Sequence, residues 1–196
     1  MILLTAVGAG ILAGWGYARW TGRTWHPPVF RANWLVAVGF LPQWLAFYWP
    51  VTRQMLSDET AAFCLVISQT LLLAFALLNL HLPGMWLLAS GLACNLAVIA
   101  ANHGFMPMTV EAFSSLADAE ALEHVTFGAR LSQASKDILL PETQILLPWL
   151  ADRFLLPDFM PYRVAFSWGD VLVAAGAFWM LWSGQADLPV PESGVA

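Results

Sequence analysis

Thr60 to Val110 reads TAAFCLVISQTLLLAFALLNLHLPGMWLLASGLACNLAVIAANHGFMPMTV and holds no Asp, Glu, Lys or Arg. A helix needs roughly 20 mainly apolar residues to cross a hydrocarbon core about 30 Å thick. The run is therefore too long for one crossing and long enough for two. His81-Leu82-Pro83-Gly84 is the break within it, and so short a connection makes the pair an antiparallel hairpin. The predicted spans are 61–80 and 84–102.

The remainder of the chain has the same character. Apolar residues make up 59% and charged residues 11%, against about 45–50% and 25% in a soluble domain. So few charges do not clothe a water-facing surface. The net charge of −5 leaves no basic face for phosphate backbones and excludes nucleic acid as a partner. Residues 1–18 are uncharged and end in Trp15, Tyr17, Arg19 and Trp20, giving a first span. No basic region precedes it as in a secretory signal. Residues 32–52 form the second, with a kink expected at Pro42-Gln43, and 166–184 the fifth. The expected fold class is an all-α integral membrane protein, a single membrane domain over 1–196 with about five transmembrane helices.

Loop charges set the expected orientation. Arg19, Arg23 and Arg31 lie in the first loop, while the second has Arg53 against Asp58 and Glu59. The positive-inside rule places the first loop in the cytoplasm and the protein in the plasma membrane. The amino terminus is then outside, the carboxyl terminus cytoplasmic, and 103–165 extracytoplasmic. In that segment Glu111–Leu131 is expected as an amphipathic helix. The Pro-punctuated stretch 141–161 is expected to lie along the outer interface or dip into it.

Polar groups among these spans mark the candidate site. Asn95 and Asn102 are seven residues apart, on one helical face, and Asp170 lies one turn into the last span. An ionisable residue inside a span is a functional-site hypothesis. Lys136, Asp137, Asp152 and Arg153 approach the same layer from the outer segment, with Asn102 and Asp170 expected at one depth. Each has a plainer reading: amides as interhelical glue, Asp170 as a helix cap, Asp152-Arg153 as a surface pair. Cys64 and Cys94 read as buried apolar residues. The scattered His26, His81, His103 and His124 form no metal spacing, and no cofactor motif is present.

The motifs Asn95-Leu-Ala-Val-Ile-Ala-Ala-Asn102-His-Gly104-Phe-Met106-Pro107, Lys136-Asp137-Ile-Leu-Leu-Pro-Glu-Thr143, Trp149-Leu-Ala-Asp152-Arg153-Phe and Phe166-Ser-Trp-Gly169-Asp170 together resemble a bacterial family of polytopic membrane proteins known only as a domain of unknown function. His103 stands where that family is expected to have Gly. Asp152-Arg153 and Phe166-Ser-Trp-Gly-Asp170 are also similar to the motifs of lipoprotein signal peptidases, which are membrane aspartyl proteases. The sequence departs from that pattern at Gly169, at Ser167 and at Pro148-Trp149. The second resemblance implies Asp152 and Asp170 as a catalytic pair sharing one proton, with Asn102 orienting a substrate carbonyl.

Three functions are carried forward. The leading one is a structural or assembly subunit of a membrane complex, with partner proteins, the bilayer around it and an outer-leaflet site for a lipid or amphiphile. Asn95, Asn102, Lys136, Asp137 and Arg153 would line that site. The second is a hydrolase acting on a lipid or lipidated substrate through Asp152 and Asp170. The third is a small transporter or flippase.

Overall fold

A computed structural model describes residues 2–117, 125–157 and 163–184. The chain is mostly helical. Helix α1 spans Ile2–Thr21, α2 Trp34–Gln43, α3 Pro50–Met55, α4 Asp58–Leu78, α5 Met85–Ala101, α6 Val110–Leu116 and α7 Trp168–Ser183. Two of them, α1 and α4, are long and apolar enough to cross a membrane. In space α2 packs on α4, α4 on α5, α5 on α7 and α7 on α1.

Small residues set how closely these helices approach. Gly91 and Gly169 face each other between α5 and α7, as do Gly84 and Gly176. A Cβ on Gly84 would stand 2.6 Å from the Gly176 carbonyl oxygen, so backbone meets backbone there, the packing expected where interfaces use small residues. The same contacts fix direction. Gly10 lies against Phe178 and Gly14 against Leu181, whereas Gly91 meets Gly169 and Gly84 meets Gly176. Hence α1 runs parallel to α7, and α5 runs antiparallel to it. Gly39 on α2 touches Leu71 and Leu72 on α4, while Ala46 and Phe47 join Ala61 and Leu65 in one apolar cluster; α2 is antiparallel to α4.

One end of the bundle therefore carries the 22–33 loop, the 79–84 turn and the end of α7. Asn79, fully buried, stitches this end together. Its Oδ1 accepts from the Arg31 N–H at 2.7 Å, and its Nδ2 donates to the Arg31 and Phe75 carbonyls. Trp25 Nε1 donates to the Leu181 carbonyl at 3.0 Å.

The opposite end carries a cap. Strand β1 (Met106–Met108) pairs in parallel with β2 (Asp137–Leu139), and β3 (Phe154–Leu155) pairs antiparallel with β4 (Ala165–Phe166). An isolated bridge joins Met108 to Asp152, so β1 has a partner on each side. Buried Phe105, Met106, Ile138, Leu140, Ile145 and Leu150 seat the cap on Ala61, Leu65, Val98 and Ile99 of α4 and α5. Arg130 clamps its margin, with Nη2 2.6 Å from Asp58 Oδ1 at the start of α4.

Several expectations are corrected here. The class is not purely α, because the cap contains two short ladders. The second segment is not one helix over 32–52: after Pro42 it widens into a π turn, Trp44–Tyr48, and breaks at Trp49, which is extended before Pro50 opens α3. Proline removes a helical N–H and pushes its predecessor toward extended geometry, which accounts for both features. The helix expected over Glu111–Leu131 stops at Leu116, with Ala117 extended. Gly128 turns at φ +81° and Arg130 bridges to Ile138, so 125–131 is committed to the cap, while Leu122, Glu120 and Glu123 lie outside the described residues. Of the stretch 141–161, residues 141–157 form short 3₁₀ turns and a strand, and 158–161 lie outside the described residues.

Candidate functional site

The first turn of α7 is built by its own sequence. Ser167 caps it, with Oγ accepting the Asp170 N–H at 3.2 Å, and Asp170 Oδ2 reaching back to the Ser167 N–H and Oγ at 3.1 Å each. This is a capping box. Asp170 Oδ1 accepts from Asn95 Nδ2 at 3.1 Å, and Ser167 Oγ lies 3.2 Å from Asn95 Oδ1. Gly169 permits this triangle, because a Cβ there would overlap Asn95 Oδ1.

Asn102 belongs elsewhere. It follows the last residue of α5, and at a rise of about 1.5 Å per residue it sits roughly 10 Å beyond Asn95. Its Nδ2 donates to the Val98 and Leu146 carbonyls and its Oδ1 accepts the Leu146 N–H. Asn102 and Asp170 are thus not at one depth; Gly91 against Gly169 seats α7 lower, beside Asn95. Asn102 is 2% exposed and its amide is engaged in holding the 145–147 loop. Asn102→Ala leaves the Leu146 N–H without this partner, and a thermal melt is expected to show a loss of about 1–3 kcal/mol.

Asp152 is the unusual member. It is 5% exposed, and its backbone is locked into the cap: its N–H donates to Pro107 and its carbonyl accepts from Thr109. Its Oδ1 has no hydrogen-bond partner. The β3–β4 register sets Phe154 opposite Phe166, which carries Asp152 back toward Trp168 and the start of α7. Asp137 lies across β1 from it, and Asp137 Oδ1 is likewise buried without a partner, while its Oδ2 accepts from Ser135 at 3.0 Å. Lys136, the residue before β2, is exposed to solvent.

These groups feel one another. Burial pushes the Asp152 carboxyl well above the usual carboxylate range, Asp137 and Asp170 push it further, and Lys136 opposes them. Asp137 is raised chiefly by burial, against the pull of Lys136 and the Ser135 hydrogen bond. Burial alone would depress Lys136. Asp137, Asp170, Asp152 and Tyr48 outweigh it and hold the ammonium above the ordinary lysine value. Three carboxyls and one ammonium thus lie within electrostatic reach of one another where the cap joins α7 and the π turn.

Arg153 is not in this group. It pairs loosely with Glu142 at 3.9 Å and lines a separate cap cleft of about 460 Å³ with Thr109, Glu111 and Ser115. Among the described residues no cluster of His, Cys, Asp and Glu has the arrangement of a metal site. His103 has φ +57° at the end of α5, a conformation that glycine adopts freely and the reason glycine is natural there. His124 lies outside the described residues. Sequence reasoning missed Ser167 as a working partner, although Ser-x-x-Asp is a legible capping signature. It also missed Tyr48, which carried no signal.

A family model matches residues 28–182. The chain belongs to the DUF5317 family, a family of unknown function. The match takes in α2 through α7, and with them every residue of the polar cluster, while α1 precedes it. No curated protein and no solved structure matches the DUF5317 chain.

Proposed function

We propose that this DUF5317 chain is a five-span plasma-membrane protein that holds the polar head of an amphiphile beneath an extracytoplasmic cap. Support for embedding comes from the surface. Exposed Trp20, Trp34, Trp86, Trp179 and Trp182 lie toward one end of the bundle, and Trp49, Trp149 and Trp168 toward the cap. Two aromatic belts flanking exposed Leu, Val and Phe suit a bilayer. Arg19, Arg23 and Arg31 at the end away from the cap favour a cytoplasmic first loop.

The observation that carries the binding reading is Asp152: a buried carboxyl with a partnerless oxygen, beside a solvent-reached Lys136, at the level of the cap-side belt. A buried polar atom left unsatisfied costs about 1–3 kcal/mol, and a ligand that donates to it recovers that cost. The test is lipid rescue of the delipidated full chain. Added polar lipid is expected to raise the Tm of wild type by several degrees, and Asp152→Asn and Lys136→Met to lose most of that rise. An equal rise in all three proteins sinks the reading.

The hydrolase reading rests on the same Asp152, a buried acid whose proton is held above the usual carboxylate range, as acid–base catalysis uses. Its expected partner Asp170 already spends both oxygens on Ser167 and Asn95. Binding therefore stands first.

A further inference from the structure

We propose that the cluster selects a zwitterionic head group of the phosphoethanolamine type, its ammonium between Asp137 and Asp152 and its phosphodiester on Lys136. This rests on the amphiphile reading and names the chemistry of the head. Asp137 Oδ1 and Asp152 Oδ1 are both buried and both lack a donor. Asp170 asks for nothing more, because Ser167 and Asn95 occupy it. The cluster thus holds two buried acceptors that lack a donor and one exposed cation at its edge.

Alternative head groups leave part of that set unmatched. A phosphodiester without an amine answers Lys136, orphans both acceptors and adds negative charge beside three carboxyls. A quaternary ammonium brings charge but no N–H, so neither oxygen gains a hydrogen bond. An amine without a phosphate sets a second cation against Lys136. A neutral glycolipid satisfies the acceptors and leaves the lysine charge unanswered. A primary ammonium supplies three donors, and charge-assisted hydrogen bonds are about twice as strong as neutral ones. A phosphodiester two carbons away then answers the lysine.

The experiment uses the delipidated full chain in detergent. Binding is read by native mass spectrometry and by Tm against phosphatidylethanolamine, phosphatidylcholine, phosphatidylglycerol, a neutral glycolipid and soluble phosphoethanolamine. Phosphatidylethanolamine is expected to bind about tenfold more tightly than the other lipids, the step that one charge-assisted hydrogen bond supplies. That preference is expected to vanish in Lys136→Met and in Asp152→Asn. If soluble phosphoethanolamine stabilises the chain as well as the lipid does, the head chemistry stands and its source is a water-soluble compound. Equal binding of phosphatidylglycerol or phosphatidylcholine to wild type overturns the head-group assignment. Where that equal binding still depends on Lys136, the amphiphile reading survives; where no lipid depends on either residue, both fall. The wild-type ranking decides the assignment even if a variant does not fold.

Discussion

Gly169→Ala is expected to leave little folded protein. The new methyl would occupy the position of Asn95 Oδ1, and the Gly91 carbonyl lies 3.0 Å from the same point. Nothing flexible can give way, because one neighbour is backbone and the other is held by Ser167 and Asp170. Seating the methyl requires α7 to lift from α5, which breaks the Asn95–Asp170 and Asn95–Ser167 hydrogen bonds. Overpacking of about 1–3 kcal/mol joined to the loss of a hydrogen bond to a charged group gives about 3–5 kcal/mol in all. That is a large part of an ordinary domain's stability. Gly8→Ala and Gly16→Ala are the matched controls. A Cβ at either meets nothing within 4 Å, and alanine favours a helix over glycine by about 0.5–1 kcal/mol. Detergent-solubilised yield and Tm should fall sharply for the first variant and hold or rise for the other two. If Gly169→Ala melts like wild type, the α5–α7 contact is not as close as described.

The helices of that interface were legible because two local signals agreed. The uncharged run breaks at Gly84, where α5 begins after a left-handed turn at φ +75°, and Ser167-x-x-Asp170 starts α7. Composition alone bounded α4 and α5 to within a few residues. What was not legible depends on distant partners. Strand β1 is three residues, Met-Pro-Met, and exists only because Asp137–Leu139 and Asp152 come to its two sides. Periodicity cannot announce a strand of that length. The amphipathic pattern after Glu111 was real, but residues 125–131 pair with β2, and tertiary pairing overrode a helical period.

The candidate site divides in the same way. Lys136, Asp137 and Asp152 stood out as charges in an apolar setting, and the fold brings them together with Asp170. Arg153 stood beside Asp152 in sequence, yet it lines a different cleft, near Glu142. Asn102 shared a helical face with Asn95, but α5 ends at Ala101, which leaves the Asn102 amide to hold the 145–147 loop.

The stability of the protein is expected to fall as pH rises from the ordinary carboxylate range, and Asp152→Asn should remove much of that fall. An unfolded chain releases the Asp152 proton near pH 4, the usual aspartate value, whereas burial keeps it bound in the fold to a pH well above that. Between the two values the native state holds more protons than the unfolded state, so the free energy of unfolding decreases with pH. The contribution is intact below the unfolded value and declines until the folded carboxyl ionises, at up to about 1.4 kcal/mol per pH unit. Asp137 is raised as well and adds a smaller slope of the same sign, which persists in the variant. Lys136 acts at the other end: its folded value lies above the free one, so its support is present below about pH 10.5 and is lost as pH climbs past it. Asparagine keeps the shape of a neutral carboxyl and has no proton to lose. The variant should therefore match wild type near pH 4, exceed it at pH 7 to 8, and show the shallower profile in denaturant melts across that range. Parallel profiles would mean that Asp152 is already ionised in the fold and that the cluster carries a full carboxylate at neutral pH. In that case the partnerless oxygen would be the stronger for it, and the ammonium of a bound head group would meet a charge already made rather than displace a proton.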